Sequence, residues 1–113
     1  MADIYVRSTD GLDADSGATW ALAKATLVGA AAIDAAGDRI FLSDNQAEST
    51  AAAVSVVLAG SLVSKTQLLS VDDSTGEPPT ALLKGASVTT TGANAISVEG
   101  YAYIHGVAFN CGT

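Results

Sequence analysis

Residues 86–110 read Ala86-Ser-Val-Thr-Thr-Thr-Gly-Ala-Asn-Ala-Ile-Ser-Val-Glu-Gly-Tyr-Ala-Tyr-Ile-His-Gly-Val-Ala-Phe-Asn110, and this stretch decides the fold class. It holds four runs, Ala86 to Thr91, Ala95 to Glu99, Tyr101 to Ile104 and Val107 to Asn110, set apart by Gly92-Ala-Asn94, Gly100 and Gly106. Valine, isoleucine, threonine and aromatic residues fill the runs, as strands require. The corners lack the Asn-Gly chemistry of a tight antiparallel hairpin, so they bend the chain onward instead of reversing it. The pattern predicts a solenoid of short parallel strands.

Working outward, Arg39 to Ser43, Ala53 to Leu58 and Thr66 to Val71 repeat the strand type, with Gly60-Ser61 and the segment from Asp72 to Thr80 as breaks. Pro78-Pro79 removes two ladder donors and makes residues 72–80 a loop. Near the start, Asp3 to Ser8 alternates Ile4 and Val6 against Tyr5 and Arg7, a half-buried strand. Thr9 to Gly17 is a loop of turn formers. From Ala21 to Ala36 the residues are mostly helix formers, with Leu27, Val28, Ala31 and Ala35 on one side, Thr26 as N-cap and Gly37 as stop. The expected organisation is one continuous domain, with a strand, loop and capping helix over residues 1–38 and strand coils over residues 39–113.

Composition agrees with narrow packing. The 113 residues are 49% hydrophobic but only 5% aromatic, so small side chains must fill the interior. A chain of this length makes one domain. Five basic residues against twelve acidic ones give a net charge of -7, which argues against a nucleic-acid or anionic-membrane surface. A single cysteine forms no internal disulfide. The opening Met-Ala-Asp-Ile-Tyr-Val lacks the basic and apolar segments of a signal peptide, and no apolar run approaches the roughly 20 residues that span a bilayer.

The run Ile4-Tyr-Val with Gly11, Asp15, Gly17, Trp20 and Ala21, then Ala25-Thr-Leu27, the Ala-rich segment and Gly37-Asp-Arg-Ile-Phe-Leu42, resembles the N-terminal module of right-handed parallel β-helix proteins. The phrase Ala95 to Asn110 is similar to successive strands of that family. The resemblance implies a mainly-β chain: a right-handed parallel β-helix start of about three coils, with an N-terminal strand and a capping α-helix. In style it is most similar to phage virion proteins such as tail spikes, fibres and head-decoration components. It therefore implies a non-enzymatic structural protein on a capsid or tail surface, a homo-oligomer, most simply a trimer, that meets other virion proteins. The alternative it carries is a glycan-binding or N-terminal non-catalytic part of a polysaccharide depolymerase or lyase. Family members continue for many more coils, so the expectation is a fragment of a longer protein or a subunit whose end a partner covers.

Chemistry-bearing residues are few. Asp10, Asp13 and Asp15 put three carboxylates within six positions and are the candidate Ca²⁺ ligands, but their spacing fails the twelve-residue EF-hand loop and a solvated turn is the favoured reading. His105 and Cys111 lack a third orienting group, so no nucleophile pair is assigned and Cys111 is expected to be a small buried residue. Acids and bases of residues 39–113 are scattered, and no catalytic constellation is assigned. Neither a dinucleotide fingerprint nor a P-loop is present, so no cofactor is expected. Trp20 is expected to staple the helical cap, with Gly37 ending it, while Tyr101, Tyr103 and Phe109 suit an aromatic ladder or a glycan-binding strip.

Overall fold

The computed structural model describes residues 2–112; Met1 and Thr113, which open and close the stretches discussed above, lie outside it. Among the described residues nine short strands form: β1 (Asp3–Val6), β2 (Arg39–Ser43), β3 (Ala47–Thr50), β4 (Val54–Val57), β5 (Thr66–Val71), β6 (Ser87–Thr90), β7 (Ile96–Glu99), β8 (Ala102–His105) and β9 (Ala108–Cys111). One helix, α1 (Leu27–Ala31), and two single 3₁₀ turns at Trp20–Leu22 and Asp73–Thr75 complete the set. The chain is thus mainly β. Among the described residues no helix is long and apolar enough to cross a membrane.

All strand pairings are parallel and join strands distant in sequence. The sheets run β1-β2-β5-β8, β3-β6-β9 and β4-β7. Between β2 and β5, and again between β5 and β8, the chain visits the other two sheets, so like residues fall in register. Ile4, Ile40, Leu68 and Ile104 form one such column, and Val56 lies against Val98. The principal core joins Ile4, Val6, Leu27, Ile40, Leu42, Val54, Val56, Leu68 and Val88 between the sheets. Period-two alternation sends Tyr5, Phe41, Leu69 and Val71 to the opposite face of the four-stranded sheet, where Trp20 and Ala23 from the following turn join them in a second cluster.

Two expectations are corrected. The right-handed β-helix solenoid of about three coils under a capping helix does not form. Three separate parallel sheets of four, three and two strands take its place, and they do not close into a solenoid. The inequality has a simple source: β1 adds to the first sheet alone, and the following residues run as loop, turn and short helix without giving the other sheets a matching strand. The helix from Ala21 to Ala36 shrinks to five residues. Its first third is diverted, because Thr19 caps a single 3₁₀ turn and Lys24 leaves it to bridge Val6 in parallel. Its last third is diverted as well, since the Asp38 carboxylate takes the Ala35 N–H at 2.9 Å and folds the chain into a turn. Thr26 does cap α1, its hydroxyl accepting from the Gly29 N–H at 3.0 Å. Gly37, at φ +85°, turns the chain into β2 and ends no helix, for α1 is already capped at Ala32.

Candidate functional site

The candidate calcium loop is built for structure. Asp10 is tied to Arg7, with Nε to Oδ1 at 2.7 Å, and this contact holds the Asp10 carboxyl below its usual range. Asp13 accepts from the Ala25 and Thr26 N–H groups, both at 2.9 Å, and from the Thr26 hydroxyl at 2.8 Å. One carboxylate thus fastens the loop to the start of α1. Asp10, Asp13 and Asp15 do not converge on a common point.

The acids that do converge are Asp44, Asp72 and Asp73, which can bring one oxygen each within 4.8 Å of one another. Strand register places them, for β2 and β5 pair through Ser43 opposite Val71, so the residue that follows each strand is an acid. Asp73 accepts from the Ser43 hydroxyl at 2.7 Å and faces the Arg7 guanidinium at 3.3 Å. That guanidinium also lies 5.3 Å from the centre of the Trp20 ring. Asp73 thus anchors the 72–80 loop against β1 and β2, while Asp72 accepts from Ser74 within that loop.

Trp20 is buried, as a staple must be, but it secures a loop and sheet instead of a helical cap. Its ring meets Tyr5 edge-on at 4.9 Å, its Nε1–H donates to the Gly76 carbonyl at 3.2 Å, and its N–H donates to the Glu77 carboxylate. Burial, reinforced by Asp3 and Glu77, raises the Tyr5 hydroxyl above its ordinary value.

A second buried polar knot joins β3 to α1. Glu48 accepts from the Leu27 N–H at 2.8 Å and from the Gln46 side-chain amide at 3.1 Å. Burial outweighs these bonds and pushes the Glu48 carboxyl above its ordinary 4.5. A raised folded-state value means that folding favours the protonated form. Stability from this group is greatest at low pH and falls as pH rises from the unfolded value through the folded one. Glu48→Gln keeps the acceptor and removes the charge. The variant should melt at a higher temperature than wild type at pH 7, and the gain should vanish below about pH 4. Calorimetric melts at the two pH values measure this; equal Tm at pH 7 would show that the desolvated charge costs nothing.

The remaining named residues gather where the sheets end. Tyr101 and Tyr103 are 53% and 56% exposed, and Ile104 is 40% exposed. Phe109 is half-buried and packs inward from a different sheet, so the three aromatics form no ladder. His105 ends β8 in one sheet and Cys111 ends β9 in another. Cys111 is exposed, contrary to the small buried residue expected: among the described residues β9 lies at the edge of its sheet. What local patterning missed is the acid trio; the signal that finds it is an acid immediately after each of two matched strands. Compared with known protein families, curated proteins and solved structures, the chain matches none.

Proposed function

We propose that this chain is a non-enzymatic structural protein of a phage virion, a component of a surface spike, fibre or decoration, that works by joining other protein chains. The observation that carries the reading is that, among the described residues, β7, β8 and β9 each pair on one side only and carry half-exposed apolar residues. Such edges are templates for further strands. The resemblance in style of residues 4–42 and 95–110 to phage virion proteins, noted from the sequence, supplies the setting. The test is composition. Particles purified from the phage that encodes the chain should contain it in fixed copy number after washing in high salt. Its presence only as free protein in the lysate, or cleavage of polysaccharide by the purified chain, would overturn the reading.

A second reading, a glycan-binding surface, is favoured by the exposed rings of Tyr101 and Tyr103. Against it stands Trp20, the largest ring in the chain, which is turned into the protein.

A further inference from the structure

Residues 72–83, between β5 and β6, leave the strand stack and return to it as an Ω-shaped strap. Its two ends are zipped together. Val71 bridges Leu82 in antiparallel fashion, the Asp72 N–H donates to the Ala81 carbonyl at 3.0 Å, and the Leu83 N–H donates to the Ser70 carbonyl at 3.1 Å. Within the tip, the Thr75 hydroxyl donates to the Asp72 carbonyl at 2.6 Å and accepts from the Thr80 N–H at 3.0 Å. The Asp72 carboxylate accepts from the Ser74 N–H at 3.0 Å and from its hydroxyl at 2.6 Å. The strap's shape is thus held from within.

What fastens the tip to the rest of the chain is polar. Asp73 Oδ2 accepts from the Ser43 hydroxyl at 2.7 Å and from Arg7 Nη1 at 3.3 Å. The Gly76 carbonyl accepts from Trp20 Nε1–H at 3.2 Å, and the Glu77 carboxylate accepts from the Trp20 N–H. No residue from 72 to 83 is buried, and Leu82 and Leu83 are more than two-fifths exposed, so lifting the strap draws no apolar side chain out of a core. The face beneath it is assembled without it, since Tyr5, Trp20, Ala23, Phe41, Leu69 and Val71 make their cluster among themselves.

Two of the fastening donors also keep partners when the strap leaves. Arg7 retains Asp10, at 2.7 Å, and the Trp20 carbonyl, at 3.3 Å. The Ser43 hydroxyl retains the Asn45 N–H at 3.1 Å. The two Trp20 N–H groups lose theirs, but the same movement admits water to them. We propose that the strap is a hinged lid: it pivots on the stem formed by residues 70–72 and 81–83, lifts with its tip intact, and uncovers Trp20 beside Arg7. Its latch is the pair of carboxylates Asp73 and Glu77. This device goes beyond the virion reading and stands or falls independently of it.

Native-state hydrogen exchange followed by NMR tests the lid, with Nε1–H of Trp20, the chain's single tryptophan, as reporter. Below the unfolding transition its exchange rate should barely change with urea, while that of the slowest amides of β2 and β5 climbs steeply, because lifting exposes little surface and unfolding exposes much. The Asp72, Thr80 and Leu83 amides, bonded inside the strap, should exchange more slowly than Trp20 Nε1–H. Glu77→Ala and Asp73→Ala each break the latch and should speed the Trp20 exchange about tenfold or more, with circular dichroism and urea midpoint close to wild type. Ser74→Ala, whose bonds lie within the strap, should leave the rate unchanged. A Trp20 rate that climbs with urea as steeply as the slowest amides overturns the lid, as does a Glu77→Ala variant that exchanges like wild type or a Ser74→Ala variant that gains as much. Strap amides exchanging as fast as Trp20 would overturn it too, for the segment would then unravel instead of lifting. If both latch variants gain rate only with a matching fall in urea midpoint, the opening is global and the hinge is refuted.

Discussion

Leu68→Ala should lower the unfolding free energy by about 3–5 kcal/mol, a large share of what a single domain possesses. Leu68 has no exposed surface and lies in β5 between Ile40 of β2 and Ile104 of β8. Truncation removes its transfer free energy and leaves a cavity. The cavity cannot collapse along the stack, because backbone hydrogen bonds hold neighbouring strands about 4.8 Å apart whatever their side chains are. Nor can it readily collapse across the core, where Leu42, Val56 and Val88 are fully buried in the same cluster. Urea denaturation should show a lower midpoint with an unchanged slope. Leu83→Ala, at a position 43% exposed, should cost less than about 1 kcal/mol and serves as the control. A loss at Leu68 no larger than at Leu83 would mean that the register column is not the centre of the core.

The residues that make Leu68 central also show what the chain encodes locally. β2 and β5 occupy the spans expected from their apolar content and flanking breaks, since both facts are local. β3 was missed for the opposite reason: Ala47-Glu-Ser-Thr50 has no apolar alternation, and only pairing with β6 makes it a strand. The N-cap at Thr26 was legible because a hydroxyl three residues from an amide is local chemistry. The long helix was not refuted by local propensity. It lost to Lys24 bridging Val6 and to Asp38 taking a backbone amide, both outside the reach of a propensity sum. Closure into a solenoid failed as an expectation because it depends on lateral pairing between residues such as Ile4 and Ile40, and on how many strands each sheet gains. The same distance hid the acid trio, since Asp44 meets Asp72 and Asp73 only once β2 and β5 are in register. Asp10, Asp13 and Asp15 were conspicuous through adjacency alone, yet Asp13 is committed to the backbone of α1 and Asp10 to Arg7.

Gly60→Ala should cost about 3 kcal/mol, although glycine here needs no unusual φ. A methyl group at this position would sit 2.0 Å from the Tyr101 carbonyl oxygen and 2.5 Å from the Thr66 backbone nitrogen. Neither atom can yield cheaply, because the Thr66 N–H donates to that same Tyr101 carbonyl at 3.1 Å. The corner is fixed from the other side too: Asp34 accepts from the Thr66 hydroxyl and from the Ala59 N–H, both at 2.8 Å. The methyl therefore has to part the approach to β5 from the approach to β8. Gly76 provides the contrast, with φ +113° but no atom nearer than 3.9 Å to an added methyl. Gly76→Ala meets only backbone strain, about 1–3 kcal/mol, because φ +113° with ψ −164° is a region essentially confined to glycine. Thermal melts of the two variants separate close approach from conformational strain, and equal losses would refute the steric account. Tyr101 leads directly into β8, so displacing its carbonyl also shifts that strand.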